Sequence, residues 1–167
     1  VAQEVIGVAG DGVIGPEVEG GTGVFVSRYI HSLDGKKRLT IPALWRETAG
    51  PLNRLFVLPS VQTRCLCVYP AREMTHRLQK LRNLSIADVK GRQMARLLAS
   101  RSDLVPWDSQ GRIRIKDELL EFAGLENEVV LAGAFDGMEL WAPDRWKEAA
   151  GAMDQPALGD AAQYVGF

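Results

Sequence analysis

The sequence predicts a β-rich α+β fold built from two copies of one unit, and three observations carry the prediction. The segment DGKKRLTIPALWRETAGPLNRL (34–55) lies over DSQGRIRIKDELLEFAGLENEV (108–129) at a constant offset of 74, matching Asp, Arg, Ile, Glu, Ala, Gly and Asn. Unrelated segments of that length share roughly one or two identities, so the match marks an internal repeat. Within each copy, apolar and polar residues alternate with the period of a strand. A short helical stretch follows in each copy, stopped by Gly50 in the first and Gly124 in the second.

Residues 1 to 23 hold seven of the 17 glycines and no aromatic residue, and are expected to form a disordered leader. Within them Gly10-Asp11-Gly12-Val13-Ile14-Gly15 fits G-x-G-x-x-G, and AGDGVIGPEV is similar to the amino-terminal segment of isopropylmalate-type dehydrogenases. A dinucleotide site needs a long helix opening at the third glycine, so that its terminal N–H groups hold the pyrophosphate. Gly20, Gly21 and Gly23 forbid one, and 167 residues are too few for such an enzyme. No cofactor is expected.

From Val24 the chain reads VFVSRYIHSL as a strand, DGKK as a polar turn and RLTI as a second strand. In RLTI the apolar Leu39 and Ile41 alternate with Arg38 and Thr40, which places the arginine and threonine away from the core. Pro42 suits a first helical position and Gly50 a left-handed stop. LFVLPS and CLCVYP supply two more strands. Between the copies, Met74, Leu78 and Leu81 form one helical stripe, and a second helix is expected to open at Ser85-x-x-Asp88 as a capping box.

The second copy repeats this order. Ile113 and Ile115 alternate with Arg112 and Arg114, Gly124 closes the short helix, and EVVLAGAF with MELWAP completes the strands. A last helix begins near Pro143 and lines up Trp146, Ala149, Ala150 and Met153, after which the chain is expected to fray from Asp154. The boundaries expected are a leader at 1–23, a first domain at 28–75, a helical connector at 76–102, a second domain at 103–147, and a helix end with a frayed tail at 148–167.

The formal charge of -1 conceals a segregation. Residues 24 to 101 carry 15 bases and four acids, whereas residues 102 to 167 carry five bases and 13 acids. A basic half points to a polyanionic partner, and a basic half joined to an acidic one also suits contact between neighbouring subunits. No apolar run approaches a membrane span or a signal peptide, so no membrane partner is expected. Cys65 and Cys67 alternate in RCLCVYP and should share a face; zinc would need two or more further ligands, and His31 and His76 sit in no matching spacing. They read as buried strand thiols. Ser32 neighbours His31, but adjacent strand residues face opposite ways, so a nucleophile–base pair is not expected there. The paired Glu126 and Glu128 read as solvated surface. An enzyme, and a small-molecule substrate, are therefore not expected.

The residues that stand out are Arg38 and Arg112, each at the mouth of a strand beside a polar turn. Lys36 and Lys37 flank the first, and Arg114 and Lys116 the second. Asp34 or Asp108, four residues earlier, could accept hydrogen bonds from turn amides and steer the guanidinium toward a phosphate or a guanine edge. A plain ion pair that tightens a hairpin is the rival reading. Recurrence in the same context favours the first.

FVSRYIHSLDGKKRLTIPALWRE, and after the central helices WDSQGRIRIKDELLEFAGLENEVVLAGAFDGMELWAPDRW, closely resemble the MraZ family of bacterial proteins. The resemblance covers nearly everything from Val24 to Trp146, and HSLD, RLTIP, DSQGRI and AGL are specific as a set. It implies two SpoVT-AbrB-like domains whose swapped hairpins form a double-psi-type barrel with peripheral helices. It further implies a DNA-binding transcriptional regulator, a repressor of its own division and cell-wall gene cluster. Such a protein acts on short direct repeats in double-stranded promoter DNA, as a ring-like homo-oligomer in the cytoplasm, associated with the nucleoid. By this likeness Asp34 with Arg38 and Asp108 with Arg112 carry the family's D-x-x-x-R motif. The family's usual starting methionine aligns with Val24, so by this likeness residues 1 to 23 are expected to be an upstream extension. Two departures matter. Lys37 stands where the family usually has glycine, a turn position suited to positive φ, and Lys116 replaces the proline that opens the second short helix. The charge split adds the expectation that the first copy dominates phosphate contact.

Overall fold

The structure is a computed structural model that describes residues 23–167. The leader assigned to 1–23, with its glycine motif, lies outside the described residues except for Gly23. The first repeat contributes β1 (Arg28–Ser32), β2 (Arg38–Thr40), α1 (Ala43–Ala49), β3 (Arg54–Pro59) and β4 (Leu66–Pro70). Helices α2 (Ala71–Arg82) and α3 (Val89–Arg101) connect it to β5 (Asp103–Pro106), β6 (Arg112–Arg114), α4 (Asp117–Ala123), β7 (Glu128–Gly133) and β8 (Met138–Trp141). Helices α5 (Pro143–Ala152) and α6 (Gln155–Val165) follow.

Pairing between strands crosses the repeats. A six-stranded antiparallel sheet runs β1-β7-β8-β4-β3-β5, and β2 pairs with β6 in a separate two-stranded ribbon. Exchanging the two repeats maps this order onto itself, because β1 of the first copy joins β7 of the second while β5 of the second joins β3 of the first. Each copy thus completes the other. Among the described residues the sheet stays open, with β1 and β5 as its edges, so the closed barrel expected from sequence is not found. The physical reason lies in β2 and β6: at three residues each they pair as strands only with one another, and supply no ladder to join the sheet's edges.

The alternation that marked RLTI and RIRI is realised in burial. Leu39, Ile41, Ile113 and Ile115 enter the core with Trp45, Leu55, Val57, Leu66, Val68, Leu119, Leu131 and Leu140. Burying one such side chain stabilises the fold by about 1.5–3 kcal/mol, so the two ribbon strands are anchored from beneath. Trp45 receives Phe25 and Tyr29 edge-on at 6.0 and 5.1 Å, and donates its indole N–H to the Val26 carbonyl at 3.0 Å. These contacts seat β1 over α1.

Four local expectations need correction. Pro42 precedes α1 as its cap rather than opening it, with an extended ψ of 138° and a carbonyl that accepts the Trp45 and Arg46 amides. Gly124 ends α4 left-handed at φ 66°, ψ 35°, but Gly50 leaves α1 at φ 93°, ψ -171°, since the ring of the following Pro51 disfavours a helical ψ before it. Helix α3 opens at Val89 and not at Ser85: Asp88 accepts the Gly91 amide at 2.8 Å, while Ser85 takes the Ala87 amide in the preceding turn. The tail expected to fray is helix α6, started by Asp154, which accepts the Ala157 amide at 2.9 Å, with a proline in the first turn.

Candidate nucleic-acid interface

Both hairpin tips are built alike. In the first, the Lys37 amide donates to the Asp34 carbonyl at 2.9 Å and the Asp34 amide to the Arg38 carbonyl at 3.0 Å. The second repeats these bonds with Gly111, Asp108 and Arg112 at 2.9 Å each. Such a three-residue loop places its last residue in the left-handed region. Lys37 sits there at φ 57° and its counterpart Gly111 at φ 76°. Lys37 thus takes the positive φ expected of its turn position.

The aspartates close each loop from inside. Asp34 Oδ1 accepts the Lys36 and Arg38 amides at 2.9 Å, and Oδ2 accepts Arg38 Nε at 2.7 Å. Asp108 Oδ1 accepts the Gln110 and Arg112 amides at 2.9 and 3.0 Å, and Oδ2 accepts Arg112 Nε at 2.9 Å with Nη2 at 2.8 Å. A carboxylate that accepts this many donors favours its charged form. The Arg38 amide chiefly holds Asp34 below the usual carboxylate range, and the Arg112 side chain chiefly lowers Asp108 to about 2. Each arginine is therefore fixed at its Nε by a group that stays ionised at neutral pH. A fixed guanidinium loses less rotamer freedom when it meets an anion.

The two tips meet on one surface. In the β2–β6 ribbon Arg38 lies opposite Arg114 and Thr40 opposite Arg112, all on the face turned away from the core. Like charges directly opposite repel, so the ribbon needs counter-charges. Asp34 supplies one across the repeats, with Oδ2 3.9 Å from Arg112 Nη1. Asp117, at the start of α4, supplies another by accepting Lys37 Nζ at 3.0 Å and Arg114 Nη2 at 3.2 Å, and Lys37 chiefly lowers its carboxyl. Five cations against three carboxylates leave the ribbon positive. Spacing alone did not reveal Asp117, since its partner Lys37 is 80 residues away. Lys36 is exposed at the first tip, whereas Lys116 turns aside to donate to the Ser102 carbonyl at 2.9 Å.

Other candidate residues lie elsewhere. His31 and Ser32 alternate in exposure along β1, and His31 Nδ1 donates to the Thr40 carbonyl at 2.6 Å, bracing β1 against the ribbon. Cys65 and Cys67 do share a face, and there they meet Glu139 of β8, a neighbour invisible to local spacing. No described helix is long and apolar enough to cross a membrane.

Comparison with known proteins adds kinship to this geometry. The family model described as "MraZ protein, putative antitoxin-like" matches residues 99–157, which run from the end of α3 into α6. A protein named transcriptional regulator MraZ from Thermomicrobium roseum is 35% identical over 127 residues, covering 76% of this chain and 87% of that protein. Its namesake in Moorella thermoacetica is 37% identical over 125 residues, 75% of this chain and 85% of that protein. The one in Clostridium acetobutylicum is 30% identical over 145 residues, 86% of this chain and all of that protein.

Proposed function

The chain belongs to the MraZ family, and on that footing we propose that it is a sequence-specific DNA-binding transcriptional regulator. The observation that carries this is the β2–β6 ribbon, whose outward face holds Arg38, Arg112 and Arg114 while Asp34 and Asp108 fix two of them. A two-stranded ribbon fits the major groove, where arginine reads guanine edges bidentately and lysine neutralises phosphates. Lys36 and Lys37 at the tip are suited to the phosphates, and Arg38, Arg112 and Arg114 to base edges or backbone. Asp34 and Asp108 are the residues that aim them.

The finer reading is a repressor of the promoter ahead of its own gene, acting on short direct repeats within the nucleoid. The repeats at 28–75 and 103–147 would be two SpoVT-AbrB-like domains with exchanged hairpins, joined by the connector at 76–102. One ribbon makes few contacts, so affinity would come from several subunits engaging several repeats at once. Exposed apolar side chains on α3 and α6, among them Met94, Leu97, Leu158 and Tyr164, support association into a ring-like homo-oligomer.

The test is fluorescence anisotropy with duplex DNA from immediately upstream of this protein's own gene, beside a scrambled duplex, across a salt series. If each tip neutralises about two phosphates, a pair of subunits gives a slope of log K on log salt near roughly -7. Failure to bind either duplex in dilute buffer would overturn the reading.

A further inference from the structure

Cys65, Cys67 and Glu139 bring one ligand atom each to within 4.8 Å of one another, the one such constellation found among the described residues. Cys67 of β4 and Glu139 of β8 are direct cross-strand partners, and Cys65, two residues earlier, returns to the same face. Burial as a small apolar side chain accounts for Cys65. It does not account for Glu139, a half-buried carboxylate in an interior strand that forms no salt bridge among the described residues. Trp141 Nε1 donates to Glu139 Oε2 at 2.9 Å, which fixes the carboxylate and leaves its other oxygen free. Supporting hydrogen bonds of this kind orient metal ligands. A tetrahedral zinc ion, with bonds of about 2.0–2.3 Å, spaces its ligands by about 3.5–3.8 Å, so atoms within 4.8 Å of one another need close by at most about 1.3 Å.

We propose that Cys65, Cys67 and Glu139 form a three-ligand site for a soft divalent cation of the zinc class, with water in the fourth position. Thiolate and carboxylate together select such an ion over magnesium or calcium. Cys65, Val130, Ala132 and Trp141 form a dry wall on one side, with Trp146 and Ala149 packed against it, while half-buried Cys67 and Glu139 leave an entry. As the metal–sulfur bonds form, the thiols release their protons to buffer. Strand β4 belongs to the first repeat and β8 to the second, so the ion would clip the two repeats together at the centre of the sheet. Its effect is on stability.

The full chain, kept reduced by a phosphine, is titrated with Cd2+ while thiolate-to-metal charge-transfer absorption is followed, and with Zn2+ against a chromophoric chelator. One ion per chain is expected, with a melting temperature raised by about 5–10 °C at free Zn2+ a hundredfold above Kd. Glu139→Gln keeps the side chain's shape and should weaken Zn2+ at least tenfold; Cys67→Ser should lose about half the Cd2+ band. Wild-type binding no tighter than that of Glu139→Gln, or an equal thermal shift in both, overturns the proposal.

Discussion

Replacing Asp34 by Asn sets two electrostatic arguments against each other. Removing a carboxylate from the ribbon proposed to face DNA makes that ribbon more positive, and charge counting alone therefore says that Asp34→Asn binds DNA more tightly. Preorganisation says the reverse. Asp34 holds Arg38 Nε at 2.7 Å and two turn amides at 2.9 Å. An asparagine keeps one acceptor for the amides, but its NH2 group cannot receive the guanidinium. Arg38 then regains rotamers that must be lost again on binding. An arginine carries about 2 kcal/mol of rotamer entropy, and if half of it returns, each engaged tip loses about 1 kcal/mol, or about fivefold in affinity. The number of cations is unchanged, so the salt slope should stay where it is while the whole line drops. Anisotropy of a labelled operator duplex at several salt concentrations reads both quantities. Tighter or equal binding by the Asn variant would refute the claim that the aspartate works by aiming the arginine.

Arg38→Ala should weaken binding more than Arg112→Ala, because Arg38 lies beside Lys36 and Lys37 in the basic stretch of residues 24 to 101, whereas residues 102 to 167 carry five bases and 13 acids; the same titrations check this, and the reverse order sinks it. Lys37→Gly should pull stability and binding in opposite directions. Relief of the left-handed backbone at φ 57° raises the melting temperature by up to about 3 °C, while loss of the cation cuts the salt slope by about 0.9 per engaged tip. The lost pair with Asp117 subtracts little, since the two side chains are 52% and 60% exposed. Acid should loosen the tips late. The lowered carboxyls of Asp34 and Asp108 give stability that is whole above the unfolded value of 3.8 and is lost as pH falls through the folded value, about 2 for Asp108. NMR titration of the Lys36 and Gln110 amides should therefore show midpoints below 3.8, and a midpoint at or above it contradicts the hydrogen-bond account.

What could be read from the chain was what depends on neighbours in sequence. The alternation through Arg38, Leu39, Thr40 and Ile41 reports burial directly, since a strand turns successive side chains to opposite faces. The Asp34–Arg38 and Asp108–Arg112 contacts span one turn each, so spacing was enough to expect them. Pairing of β2 with β6 joins residues about 74 apart, and no local pattern encodes it; the resemblance implied swapped hairpins, and only the strand register shows Arg38 opposite Arg114. Asp117 and Glu139 were missed for the same reason. Helix α6 is a different case: its start signals at Asp154 and Pro156 are local and were legible, but none of its residues is buried, so no packing against the core holds it.

Tandem duplication also explains why the ribbon has a direction. Two identical hairpins about a two-fold axis would present the same tip twice, and would suit a palindromic site. Here the two copies share one chain and are free to differ. The first tip carries Lys36 and Lys37 where the second carries Gln110 and Gly111, while the second strand carries Arg114 where the first carries Thr40. The ribbon is thus pseudo-symmetric in backbone and polar in charge, with its lysines at one end. On the proposed function, a reader with unlike ends would set a single orientation on DNA, and identical subunits following one another around the proposed ring would repeat that orientation. Such an arrangement, if the proposed ring forms, would match sites that recur head to tail, as the proposed direct repeats do.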